Sequence, residues 1–181
     1  ALEEAEKRIG ETGLSGDIGE AERARIAALV ARAALRFADL QNVRTTNYVF
    51  DLERFTSFEG KTGPYLLYAS VRIKSLLRRT KDAGHAPGQI RIEGETERAL
   101  VLALDGFANA LEQSHAKRQP HILCEHVYTL AQAFSALYAA HPIANESDEA
   151  LRTSRLGLCE AVLSQLEAGL GILGIEAPER M

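Results

Sequence analysis

Apolar residues recur three or four positions apart through most of this chain, and that spacing constrains the fold more than any other feature. One set is Ile26, Leu29, Val30, Ala33 and Phe37; a second is Leu66, Ala69, Ile73, Leu76 and Leu77. Three more follow: Leu100, Leu104, Phe107 and Leu111; Leu123, Val127, Leu130, Phe134 and Leu137; and Leu151, Leu158, Cys159, Val162, Leu166, Leu170 and Leu173. Each set lines one side of a helix and has to be covered by another element. Several long helices with short polar joints make an all-α bundle the expected solution. The spacing predicts helices over Glu20–Phe37, from Pro64 to about Lys81, through Leu100–Leu111, after Pro120, and from about Leu151 to Leu173. Asn145 or Ser147 is expected to cap the last helix, and Gly174 to stop it in a left-handed conformation, with Pro178 beyond.

The joints are less uniform. Ala1–Gly10 is a short acidic helical pattern, and the glycines and serine of Glu11–Gly19 mark a break. Tyr48–Phe50 reads as extended, and Gln89–Glu93 is short and ambiguous. In the turn Phe58–Gly63, Gly60 and Gly63 supply backbone freedom, Thr62 or Gly63 can cap the next helix, and Pro64 suits its first turn.

On that helix Tyr65, Tyr68, Arg72 and Arg79 fall within about 60° of one another at 100° per residue. The apolar set centres roughly 100° away by the same geometry, with Leu67 facing neither side. Flat rings beside forked cations can stack on bases and neutralise phosphates. The same residues also fit a purely structural reading, with tyrosines covering the core, their hydroxyls reaching water and Arg72 capping a neighbouring loop; a rival of another class is a non-catalytic helical protein–protein interaction module whose tyrosine face packs against another helix. Charge does not separate these readings. The net charge of −4 opposes nucleic-acid binding, yet five cations (Arg72, Lys74, Arg78, Arg79 and Lys81) crowd one strip that contains a single acid, Asp82.

Other chemistry finds little support. No phosphate-loop glycine pattern is present. His121, Cys124, Glu125 and His126 cannot all face one ion from one helix, so no metal site is expected. The two cysteines, Cys124 and Cys159, read as buried thiols in a reducing compartment. A cytoplasmic protein without membrane association is therefore expected, since no apolar run approaches the roughly 20 residues a span needs.

Three longer segments, ALRFADLQNVRTTNYVFD (Ala34–Asp51), FEGKTGPYLLYASVR (Phe58–Arg72) and LGIEAPERM (Leu173–Met181), resemble the carboxyl-terminal part of the arginyl-tRNA synthetases. The likeness runs from about Arg25 onward. The HIGH-like and KMSKS-like signatures of class I synthetases are absent from this sequence. The resemblance implies an all-α, DALR-type anticodon-binding bundle at residues 59–181. A remnant of the catalytic-domain side would precede it at residues 1–58. It further implies recognition of the tRNA(Arg) anticodon as part of arginine–tRNA ligase, whose full-length form would use ATP and Mg²⁺. The fragment itself is expected to hold no cofactor and to be inactive alone. Its expected partners are tRNA(Arg) and the remaining catalytic portion of the synthetase, and a monomer is expected.

Carried over residue by residue, the resemblance places Tyr65, Tyr68 and Arg72 at the anticodon loop and Tyr138 in a helix-end loop beside it. Met181 would fold back toward the same site, with Arg180 holding the tail by an ion pair. Lys61 and Arg79 are candidate phosphate contacts. The sequence departs from the family at Leu67, where Gln is expected, and at Lys61, where Asn is common.

Overall fold

The computed structural model describes residues 1–11 and 19–181, so most of the break expected at Glu11–Gly19 lies outside the described residues. Among the described residues every regular element is helical. In chain order they are α1 (Leu2–Glu11), α2 (Glu20–Leu40), a single turn α3 (Leu52–Phe55), α4 (Gly63–Asp82), α5 (Glu95–Asp105), α6 (Phe107–Lys117), α7 (Pro120–Ala140), a 3₁₀ turn (Ile143–Asn145) and α8 (Glu149–Ile172). No helix among them is long and apolar enough to cross a membrane.

The apolar stripes meet in one cluster. Phe37 of α2, Leu66 and Ile73 of α4, Leu123, Leu130 and Phe134 of α7, and Leu158, Val162 and Leu166 of α8 are all sealed from solvent. Helix α4 lies between α2 and α8, while α7 packs on α5, α6 and α8. Because α4 is enclosed on more than one side, its buried stripe is wider than the spacing suggests. Leu67, expected at an intermediate face, is 0% exposed.

Two local expectations change, and one open stretch is resolved. The Leu100–Leu111 spacing predicts one helix, but the chain breaks at Gly106 into α5 and α6. Glycine is a poor helix former, and Gln165 of α8 donates to the Leu104 carbonyl at 3.0 Å. A continuous helix would have offered that carbonyl to the amide four residues on. At the start of α8 the cap is Asp148, not Asn145 or Ser147, with its carboxylate accepting from the Ala150 and Leu151 amides at 2.8 and 3.1 Å. Asn145 is used up in the 3₁₀ turn. Gln89–Glu93 resolves as an irregular strap on α8: the Gly88 amide donates to the Thr153 carbonyl at 2.9 Å, and the Arg91 amide to Ser154 Oγ at 2.8 Å.

Tyr48–Phe50 pairs with no strand; the rings of Tyr48 and Phe50 rest on Phe55 at 6.2 and 5.3 Å, leaving Val49 exposed. Helix α8 ends as its sequence suggests, with Gly174 at φ +72° and the Ile175 amide reaching back to the Leu170 carbonyl at 2.8 Å.

Candidate functional site

The turn before α4 is a compact hydrogen-bonded unit. Thr62 donates its hydroxyl to the Ser57 carbonyl at 2.6 Å, and the same oxygen accepts from the Tyr65 amide at 3.2 Å, capping α4. The two glycines do different jobs. Gly60 sits at φ +77°, a conformation only glycine adopts cheaply. Gly63 is needed for space: a Cβ there would lie 2.2 Å from the Ala33 carbonyl oxygen of α2. The close approach at Gly63 fixes where α4 starts, and so where its first outward residues point.

Those residues open on a groove of about 630 Å³ between the turn, α4 and α7. Phe58, Tyr65, Tyr68, Arg72 and Ser135 are among its lining residues. Tyr65 and Tyr68 are half-buried, their rings packed on the core and their hydroxyls at the groove. Tyr65 shares a 3.1 Å hydrogen bond with Ser135, and its ring meets Tyr128 edge-on at 5.7 Å. The Arg72 guanidinium carbon lies 4.4 Å from the Tyr68 ring centre and 5.2 Å from that of Tyr138, and Arg72 donates to the Tyr68 hydroxyl at 2.8 Å. A cation held over two aromatic faces is fixed in place without being neutralised. Tyr65, Tyr68, Arg72 and Tyr138 thus converge from two helices.

The remaining candidates lie apart from that centre. Arg79 is exposed and borders a smaller cavity of about 160 Å³ together with Tyr138 and His141. Lys61 is ion-paired with Glu125, and its ammonium stands 6.0 Å from the Tyr128 ring centre. Met181 is only 9% exposed, packs into the core cluster and does not line the groove. The tail's acids are paired, Glu179 with Lys74 and Glu176 with Arg25, while Arg180 is exposed. Lys74 bonds Glu179 at 2.6 Å and Glu167 at 2.8 Å. Burial works against the Lys74 charge, but the two carboxylates outweigh it and hold its pKa above the ordinary lysine value. Lys74 therefore drops out of the free basic strip, leaving Arg78, Arg79 and Lys81 as its exposed cations.

The residues of the apparent metal cluster separate. Cys124 is sealed in the core with its thiol pushed up to about 12 by burial, Glu125 faces Lys61, and His126 lies against Phe107.

The sequence reading missed a buried ionic cluster. Glu97 of α5 is 1% exposed and accepts from Arg155 Nε of α8 at 3.0 Å; Arg155 Nη1 also donates to Glu146 at 2.6 Å. His141 stands 3.0 Å from the Thr96 hydroxyl and 3.7 Å from Glu97. Burial pushes the Glu97 pKa up, but its own backbone amide, Arg155 and His141 together bring it below the ordinary value. No local pattern announces this cluster, because Glu97 and Arg155 are 58 positions apart. An acid and an arginine at otherwise apolar helix positions were the only available hint.

Comparison with known proteins gives this architecture relatives. A family model described as the DALR anticodon binding domain matches residues 66–181. The arginine–tRNA ligase of Hyphomonas neptunium is 61% identical over 181 residues, which is 100% of this chain and 31% of that protein. That of Maricaulis maris is 58% identical with the same coverage. Among solved structures, the Thermus thermophilus arginyl-tRNA synthetase aligns with a TM-score of 0.86 and 32% identity, over 99% of this chain and 31% of that one. The Plasmodium falciparum arginyl-tRNA synthetase shares the fold, with a TM-score of 0.81 at 22% identity over 99% of this chain and 32% of that one. The chain therefore spans about a third of the length of the curated relatives it matches.

Proposed function

The chain belongs to the DALR anticodon-binding domain family, and from that membership we propose that it recognises the anticodon arm of tRNA(Arg) as the carboxyl-terminal part of an arginine–tRNA ligase. The observation that carries this reading is the open groove in which Arg72 lies over the rings of Tyr68 and Tyr138. Unpaired bases splayed from a loop stack on aromatic faces, and guanidinium donors meet their edges. In this reading Tyr65, Tyr68 and Tyr138 supply faces and Arg72 supplies donors that no carboxylate among the described residues pairs with, although Glu59 also lines the groove. Arg79 takes a backbone phosphate beside Tyr138. Lys61 does the same only by exchanging Glu125 for the phosphate. Met181 acts by packing the tail under the site, not by entering the groove.

Residues 59–181 form the recognition unit, and residues 1–58 belong to the side that meets the catalytic portion. Arginine ligation, ATP and Mg²⁺ belong to the whole enzyme, which works in the cytoplasm. This chain's own residues are assigned no role toward ATP or the metal.

The test is a titration of the chain with a tRNA(Arg) anticodon stem-loop and with one altered at the middle anticodon base, at fixed salt. The first should bind more tightly than the second. Tyr68→Ala or Arg72→Ala should weaken the first by about tenfold or more, since stacking is worth roughly 1–3 kcal/mol per base. Equal binding of both loops, or unaltered affinity in folded variants, refutes the reading.

A further inference from the structure

The buried ionic cluster lines no part of the groove, and two of its members, Glu146 and His141, lie on one connection. Residues 141–148 join α7 to α8 and carry Pro142, Ile143, Ala144 and Asn145, which border the small cavity beside Tyr138 and Arg79. The connection is tied down from within. Glu146 accepts from Arg155 through its carboxylate at 2.6 Å, and from Arg152 through its backbone carbonyl at 2.6 Å. The other carboxylate oxygen of Glu146 takes the Asp148 amide at 3.2 Å. At the opposite end His141 meets Thr96 at 3.0 Å, next to Glu97.

A buried Glu–Arg pair is a poor device for stability alone, because desolvation consumes most of the attraction and apolar side chains of like volume often do as well. Such a pair is better suited to fixing geometry. Arg155 is 6% exposed and keeps both of its carboxylate partners only while the connection brings Glu146 inward. The conformation of the connection is thereby coupled to the pairing of an almost fully buried cation.

We propose that Glu97, Arg155 and Glu146 are positioning residues that fix the α7–α8 connection, and through it the Tyr138 and Arg79 edge of the RNA-binding surface. The inference rests on the anticodon-arm reading above. None of the three touches the RNA. Their task is to keep the connection from competing with a nucleotide for the Tyr138 face.

The experiment compares the wild-type chain with Glu146→Ala, Glu146→Gln and, as a control for general destabilisation, Ile26→Val in the core of α2. Two quantities are read: amide hydrogen exchange across residues 141–148 in the free chain, and affinity for the tRNA(Arg) anticodon stem-loop. Glu146→Ala should speed exchange in that segment by about tenfold or more, while the α2 and α4 amides are unchanged. It should weaken RNA binding by roughly fivefold to tenfold, through a faster off-rate. Glu146→Gln, which keeps an acceptor for Arg155, should recover most of both. Ile26→Val should lower the melting temperature without touching either.

Unchanged exchange in Glu146→Ala overturns the inference. So does faster exchange with wild-type affinity, and in that case the anticodon-arm reading survives. A wild-type chain that ignores the stem-loop overturns both.

Discussion

Replacing Gly63 by alanine tests whether the contact between α2 and α4 sets the geometry of the groove. The added carbon would lie 2.2 Å from the Ala33 oxygen, 2.4 Å from its carbonyl carbon and 3.0 Å from the Ala34 nitrogen. All three are main-chain atoms within α2, so no rotamer can make way, and the first contact is more than an ångström inside ordinary separation. Overpacking a filled core costs roughly 1–3 kcal/mol, more when backbone must shift. The upper end applies, because Gly63 sits at the first turn of α4, where alanine's helix preference returns little. At about 2–4 °C per kcal/mol for a chain of this size, Gly63→Ala should melt about 6–12 °C below wild type. Circular dichroism melts measure this directly.

Two other glycines provide the comparison. Gly60→Ala meets nothing within 4 Å and bears only the cost of φ +77°, about 1–2 kcal/mol. Gly171→Ala, in open space within α8, should stabilise by roughly 0.5–1 kcal/mol. The ordering Gly171→Ala above wild type, then Gly60→Ala, then Gly63→Ala is required. A Gly63→Ala chain that melts within 2 °C or so of wild type would refute the reasoning, and with it the claim that this contact places Tyr65 and Tyr68.

Three further outcomes are expected. Arg118 ends α6 at φ +53°, so Arg118→Gly should raise the melting temperature by about 2–4 °C, on roughly 1 kcal/mol of relieved left-handed strain. Both Glu97 and Glu146 have folded pKa values below the ordinary 4.5, Glu146 chiefly through the Asp148 amide. Their contribution is therefore complete above that pH and lost as acid carries the solution down through the folded values. Melting temperature against pH should fall below about pH 4.5, and Glu97→Gln should start lower at neutral pH but fall less. Burial pushes the Cys124 and Cys159 thiols up to about 12, so neither should be alkylated at pH 8 by iodoacetamide in the folded chain, and both should react once it is unfolded, as mass spectrometry would show.

Periodicity made most of the fold readable, because a stripe such as Leu123, Val127, Leu130, Phe134 and Leu137 records burial directly. It could not foresee the break at Gly106, which depends on Gln165 reaching across from α8 to take a carbonyl. Nor could it place Leu67, whose burial depends on how many neighbours surround α4. The aromatic and cationic residues of the groove were legible on one helix, since Tyr65, Tyr68 and Arg72 share a face by their spacing. That Tyr138 would come to lie over the same guanidinium is a tertiary fact, and so is the pairing of Lys61 with Glu125, 64 residues away. The tail was half legible: Gly174 marks the helix end, while the Lys74 anchor for Glu179 joins residues 105 positions apart.

The double aromatic seat of Arg72 has a consequence for timing. A side chain already seated on two rings in the free protein has less rotational freedom to surrender at docking. On the proposed reading, the rearrangement then falls to the nucleic acid, whose loop must unstack before it can settle. The rate of encounter should follow how readily that loop opens, and sequences outside the anticodon that stiffen it should slow capture while leaving the lifetime of the complex nearly unaltered.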